Sequence, residues 1–197
     1  LADLRNRVSI HFPRVNIVNG ANYLPRVAPG MVATLLSNTL NYSFTDQTAV
    51  NSTLPMARTL ADLQVSINGA PVPLYFASPF QINFQMPMGL PTSGTVELQV
   101  EQISTGRIIA ATDVVMDTAS PALFALNGSG TGQLAAINTE DNGSINGIGD
   151  QLKPVGRGKF ITLYGTGQGP LAGAPNDGEA ASGPVSTDVK PIVIINR

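Results

Sequence analysis

Apolar and polar residues alternate in short runs along most of the chain, which is the pattern of half-buried β-strands. Val65 and Ile67, for example, precede an Asn68-Gly69 pair, and Val72, Leu74 and Phe76 follow it. Asn-Gly between two such runs predicts a hairpin with a type I′ turn. The predicted strands cover residues 8–12, 32–36, 65–67, 72–76, 82–86, 96–100, 108–116, 160–164 and 192–195.

No segment has the apolar spacing of an amphipathic helix, and the chain is interrupted throughout by its 20 glycines and 15 prolines. Parallel α/β folds need crossover helices between their strands, and the runs between the predicted strands leave no room for them. The pattern therefore predicts an all-β protein built of antiparallel β-sandwiches.

Two stretches of the chain match each other at a nearly constant offset. "VNGANYLPRVAPGMVATLLSN" begins at Val18, and "INGIGDQLKPVGRGKFITLYGT" begins at Ile145. After a one-residue insertion the offset is 128, and it continues far downstream, where Val65 matches Val193. A shared offset over two distant clusters indicates two copies of one β-unit.

The repeat predicts three segments: a strand-like arm at 1–14, a first β-sandwich at 15–125, and a second, partial copy of it at 126–197. In the second copy, Arg197 matches the hairpin tip at Gly69, so the later strands of the first copy have no counterpart. A half-sandwich exposes its apolar face and its strand edges. We therefore expect either that the chain is a fragment or that something else completes the second sandwich.

Composition narrows the functional classes. Only 12% of the 197 residues are charged and the formal net charge is −2, so no basic surface for nucleic acid or anionic membranes is expected. The apolar runs are too short for a membrane-spanning helix. With no cysteine, the chain has neither disulfides nor thiolate metal sites, and the single histidine, His11, rules out a multi-histidine metal site.

Three segments carry a resemblance to a known family: Ala28-Pro29-Gly30, Ile67-Asn68-Gly69 and, most specifically, the run from Ser78 to Pro87, "SPFQINFQMP". Together they resemble the Solibacter-type C-terminal repeat family of secreted bacterial proteins, over about residues 15–197. The resemblance implies tandem Ig-like modules and secretion or surface display. It implies no catalytic residues.

The sequence matches neither of two nucleotide-binding motifs nor a Ser/His/Asp catalytic triad. Gly158-Lys159 lacks both the preceding glycine and the following Ser/Thr of a phosphate loop, and a dinucleotide fingerprint starting at Gly165 meets Pro170 where it needs glycine. A Ser/His/Asp triad would need His11, and no Gly-x-Ser-x-Gly elbow is present. The glycine-rich stretch 153–171 is therefore predicted to be a turn followed by a core strand.

The acidic residues fit neither a catalytic carboxylate pair nor a calcium-binding loop. Glu97 and Glu101 are predicted to lie about 13 Å apart on one solvated strand face, too far for a glycosidase pair. Asn138, Glu140 and Asn142 resemble a calcium loop, but Gly149 stands where that loop needs glutamate. A hairpin tip at Asp141-Asn142-Gly143 explains this segment more simply.

Tyr42 and Phe44, in the polar run "NTLNYSFTDQ", are the best aromatic candidates for a glycan contact. The alternative is that both rings pack against the sandwich. Four segments fit the N-glycosylation sequon, at Asn41, Asn51, Asn127 and Asn142, and are expected to be coincidental in a bacterial protein.

These observations predict a non-enzymatic, extracellular structural or adhesive module without cofactor or metal. A protein partner, or self-association through open sheet edges, is expected. Two alternatives stay open. The first is a self-assembling subunit completed by strand exchange, in which the strand-like arm at residues 8–12 could be the donated strand. The second is an accessory glycan-binding module.

Overall fold

The protein is all-β. The computed structural model describes residues 15–37, 42–149, 152–187 and 189–194, and within these ranges it contains no helix, hence none long and apolar enough to cross a membrane. The paired strands are all antiparallel, which confirms the predicted fold class. The strands are β1 (Val15–Asn19), β2 (Val32–Ser37), β3 (Ala49–Val50), β4 (Leu63–Ile67), β5 (Ala70–Pro71), β6 (Leu74–Ala77), β7 (Gln81–Gln85), β8 (Thr95–Gln102), β9 (Arg107–Val115), β10 (Ala122–Leu123), β11 (Ala136–Asn138), β12 (Ser144–Ile145), β13 (Ile161–Leu163) and β14 (Gly165–Thr166).

Two sheets enclose the main hydrophobic core. One has five strands in the order β1-β2-β7-β6-β3, and the other has four in the order β5-β4-β8-β9. Every second residue is buried in β4, in β7 and in residues 95–100 of β8, as expected for strands with one face on a core and one towards solvent. Leu35 and Phe84 of the first sheet share a single core cluster with Val65 and Leu98 of the second. The two sheets therefore form a β-sandwich.

The Asn68-Gly69 hairpin is confirmed, and the strand predicted at 72–76 is found as β6, but β6 pairs with β7 and not with β4. Asn68 and Gly69 have φ of 49° and 80°, and they join β4 to β5. β5 ends at Pro71, and the chain then crosses to the other sheet, where Leu74 begins β6 beside β7. Val72 still donates its N–H to the Val65 carbonyl at 2.9 Å, but the Leu74 N–H donates to the Ala57 carbonyl, so the pairing with β4 ends after Val72.

The strands after the sandwich form two small sheets. β12, β11 and β13 make a three-stranded sheet in that order, while β10 pairs with β14. The predicted strand at 160–164 is found as Ile161–Leu163, and the chain then passes directly into β14 of the other small sheet.

The strand predicted at 192–195 is not formed by its described residues, 192–194. In the sandwich the matching strand, β4, pairs with β5 and β8, whereas no strand pairs with 192–194 in the part of the chain that the structure describes. A strand needs such a partner for its backbone N–H and C=O groups. The predicted strand at 8–12, His11 and the arm 1–14 lie outside the described residues.

Candidate interaction surface

One face of the three-stranded sheet is an open apolar groove. Strand register places Ala136 beside Leu163 and Asn138 beside Ile161, so Ala136, Ile161 and Leu163 lie on the same face. The groove measures about 760 Å³, and none of the described residues lining it is charged. Its apolar lining consists of Leu134, Ala136, Ile148, Val155, Ile161 and Leu163.

No described residue covers the groove, in contrast to the core-facing surface of the sandwich. Ile148 is 89% exposed and Ile161 is 37% exposed, and Leu163 is only half-buried. In β2 of the sandwich, Leu35 is fully buried beneath the four-stranded sheet. The three-stranded sheet therefore presents apolar side chains of core type to solvent.

A polar network around Asn138, which shares this sheet face with Ala136, joins the strands that carry the groove. Asn138 is buried, and its Nδ2 donates to the Lys153 carbonyl at 2.9 Å and to the Ser144 Oγ at 3.1 Å. Its Oδ1 accepts a hydrogen bond of 2.9 Å from Asn146 Nδ2. The Asn138 side chain thus links β11 to β12 and to the segment that leads into β13. Its buried amide has hydrogen-bond partners for both its nitrogen and its oxygen, as buried polar groups in stable folds do.

The small sheets are anchored on the sandwich through the end of β14. The Val32 N–H donates to Thr166 Oγ1 at 2.8 Å, and the Ser120 N–H donates to the Gly167 carbonyl at 2.8 Å. Ala122 of β10 pairs with Thr166. These bonds connect β2 of the sandwich to the strand that follows β13.

A second anchor is the segment around Asp177 and Gly178. The Met88 N–H donates to the Asp177 carboxylate at 3.0 Å, and the Gly178 N–H donates to Gln85 Oε1 at 2.8 Å. The Gly178 carbonyl accepts from the Met56 N–H at 2.8 Å. The chain after β14 therefore returns to the sandwich before it reaches residues 189–194.

The glycine-rich stretch forms a turn and a strand. Gly158 has φ of 77°, within the turn that precedes β13. The Lys159 Nζ lies 3.3 Å from the Glu140 carboxylate. Glu140, Lys159 and Phe160 help to line a small cleft of about 280 Å³ beside this turn.

The carboxylates singled out from the sequence are engaged in local contacts. Asp141 lies 3.5 Å from the Lys153 Nζ, and Asn142 and Gly143 have φ of 48° and 70° in the turn between β11 and β12. The hairpin interpretation of this segment is thus confirmed. No three Asp, Glu, His or Cys residues form a group that could hold a metal ion within the described ranges.

Glu97 lies on the outer face of β8, where its carboxylate accepts a hydrogen bond of 2.7 Å from Gln99 Nε2. Glu101 lies two positions beyond Gln99 in the same strand, with a bulge between Val100 and Glu101. This is the predicted solvated sheet face.

Tyr42 and Phe44 pack against the sandwich, which is the second of the two interpretations that the sequence left open. Phe44 is 3% exposed and belongs to the core cluster, and the two rings meet edge to face with centroids 5.7 Å apart. The Tyr42 hydroxyl donates to the Ile109 carbonyl, and burial raises the pKa of Tyr42. Phe44 is therefore inaccessible for stacking on a sugar, and the Tyr42 ring is partly buried.

Sequence reasoning missed the most exposed part of the groove. Ile148 stands alone between two glycines, so no apolar period marks it. Leu163 matches Leu35 at the offset of 128, and this match predicts a core-type residue. Asn138 was noticed only as a potential calcium ligand, although its role in the fold is to satisfy backbone and side-chain groups.

Comparisons with protein-family models, curated proteins and solved structures found no match to this chain.

Proposed function

We propose that this chain is a non-enzymatic structural or adhesive module of a secreted or surface-displayed bacterial protein, and that the groove of the three-stranded sheet is its contact surface. The observation that carries the proposal is the exposure of core-type side chains, Ile148, Ile161 and Leu163, on a sheet with a fixed shape. Open apolar patches of this kind are typical of protein–protein contact sites.

Three further features support the proposal. Only 12% of the residues are charged. This composition suits a surface that binds its partner through apolar packing more than through electrostatic attraction. The Solibacter-type resemblance of Ala28-Pro29-Gly30 and of the run from Ser78 to Pro87 suggests secretion and tandem Ig-like modules. Under this proposal the repeat at offset 128 makes the three-stranded sheet one half of a second sandwich.

Bead adhesion under flow tests the proposal. Beads carrying the chain would be brought into contact with surfaces coated with the same chain, with cellulose, with peptidoglycan or with albumin. We expect adhesion above the albumin level on at least one of the first three surfaces. Ile148→Asp should remove it, because a carboxylate in the groove must be desolvated without a partner when the contact forms.

Val115→Asp is the matched control. Val115 is 72% exposed on the outer face of β9 and lies outside the groove lining, so this change adds the same charge elsewhere. Adhesion that survives Val115→Asp and is lost in Ile148→Asp supports the proposal. Adhesion no greater than that to albumin on every surface would contradict it, as would a hydrolase activity that a single substitution abolishes.

A further inference from the structure

We infer that the occupant of the groove is residues 189–194 of a second copy of this chain. This inference rests on the proposed function, because it names the partner of the same surface. Its starting point is that the chain carries two exposed apolar features whose sequence counterparts meet in the core of the sandwich.

The first step is the register of the repeat. Leu35 of β2 and Val65 of β4 come from opposite sheets and belong to the same core cluster. Their matches at the offset of 128 are Leu163, in the floor of the groove, and Val193, in the segment 189–194. By this correspondence, a segment containing Val193 is the natural cover for a sheet face containing Leu163.

The second step is that the two features do not meet within one chain. Val193 is 52% exposed, and Ile192 and Ile194 are 89% and 77% exposed. None of the described residues from 189 to 194 lines the groove or forms a backbone hydrogen bond with another described residue. The return of the chain to the sandwich at Asp177 and Gly178 fixes the point from which this segment leaves.

The third step is the choice of a second copy over an unrelated protein. Every copy carries both the groove and the segment, so two copies related by a twofold axis can exchange segments reciprocally and close the interface. The groove lining is uncharged, so the single charge described in the segment, on Lys190, meets no like charge in it. Charge therefore does not oppose the contact between two identical chains.

Cysteine cross-linking tests the inference on a clean background, because the chain has no cysteine of its own. Leu163→Cys and Val193→Cys would be made as separate single variants, mixed, and treated with a mild oxidant. We expect a disulfide-linked heterodimer, identified by a size tag on one variant, to form at least tenfold faster than in a mixture of Val115→Cys and Val193→Cys. Val115→Cys is the control because Val115 is exposed and does not line the groove.

Two outcomes would overturn the inference. Equal rates of heterodimer formation in both mixtures would show that contact is random. A Leu163→Cys/Val193→Cys double variant that links only within one chain, at any concentration, would show that the segment covers its own groove. Light scattering gives the second measurement: the wild-type chain should form a dimer that Val193→Asp dissociates, and a wild-type chain that stays monomeric at high micromolar concentration contradicts the inference.

Failure of this inference is distinguishable from failure of the proposed function. If beads carrying the chain adhere to cellulose or peptidoglycan through the groove, but not to each other, the contact surface is retained and the second copy is rejected. If Ile148→Asp changes adhesion to no surface, the groove itself is rejected.

Discussion

Asn19 donates a hydrogen bond from its Nδ2 to the carbonyl oxygen of Ser120 over 2.7 Å, joining positions 101 residues apart. Asn19 is fully buried, and its Oδ1 accepts a hydrogen bond of 2.8 Å from the Ala21 N–H. The Ser120 N–H donates in turn to the Gly167 carbonyl. One buried amide at the end of β1 therefore fixes the connection through which the small sheets are attached to the sandwich.

Asn19→Ala should lower the free energy of unfolding by about 1–3 kcal/mol, because it leaves the Ser120 carbonyl and the Ala21 N–H buried without this partner. Urea unfolding followed by tyrosine fluorescence measures the change. Asn127→Ala is the matched control, since Asn127 makes a similar bond to Ser129 in an exposed turn and its loss should cost no more than about 0.5 kcal/mol. Equal costs for the two variants would show that the contact with Ser120 contributes nothing beyond the local turn.

Gly167→Ala should disrupt the same connection from the other side. A Cβ atom on Gly167 would lie 1.9 Å from the Ser120 carbonyl oxygen, so the backbone must shift to accept it. Gly94→Ala is the matched control, because Gly94 has φ of 82° against 84° for Gly167 and has open space around its Cβ position. We expect Gly94→Ala to cost about 1–2 kcal/mol through backbone strain alone, and Gly167→Ala to cost at least twice as much in urea unfolding. If the two variants lose similar free energies of unfolding, the backbone at Ser120 can move to accept the added Cβ atom.

Leu35→Ala and Leu163→Ala compare the same substitution beneath a covered and an uncovered sheet face. Leu35 is fully buried, so its truncation should cost about 2–5 kcal/mol through lost burial and a cavity. Leu163 is half-buried at the groove, and its truncation in dilute, monomeric protein should cost less than about 1 kcal/mol. Unfolding free energies at low micromolar concentration measure both, and a large cost for Leu163→Ala there would contradict an open groove in the single chain.

The sequence predicted the sandwich well where burial is one-sided. Ile82 and Phe84 alternate with polar residues, and both are fully buried in β7. It failed in the pairing of residues 72–76, because the chain leaves β4 after Val72 and Leu74 pairs with Phe84 in the other sheet. It also failed at the described residues 192–194, because whether an apolar run becomes a strand depends on a partner that no local pattern reveals.

The candidate site was predictable only in part for the same reason. The repeat identified Leu163 as a core-type residue, but its exposure depends on which strands face it in three dimensions. Ile148 carries no periodic signal at all between its flanking glycines. Asn138 has the residue type of a metal ligand, and only its tertiary contacts reveal a buried amide bonded to Lys153, Ser144 and Asn146.

Tyr42→Phe should make the protein less sensitive to alkaline pH. Burial raises the pKa of Tyr42 above its ordinary value of 10.0, while the positive charge of Arg107 acts in the opposite direction. Below pH 10 the phenol is neutral in both the folded and the unfolded chain. As the pH rises above 10, the unfolded chain loses this proton first, so the contribution of Tyr42 to stability falls.

At pH 8 the variant should be less stable than the wild type by about 1 kcal/mol, because it loses the hydrogen bond from the Tyr42 hydroxyl to the Ile109 carbonyl. Between pH 8 and pH 11 this difference should shrink, because the wild type loses the contribution of Tyr42 and Phe has no proton to lose. Burial also raises the pKa of Tyr75, but Tyr75 is present in both proteins and does not change the difference between them. Urea unfolding midpoints at the two pH values measure the effect. Ile109→Val is the control, a non-titrating change beside Tyr42, and its unfolding midpoint should differ from that of the wild type equally at both pH values. If the Tyr42→Phe difference stays constant or grows with pH, the phenol ionises as readily in the folded chain as in the unfolded one.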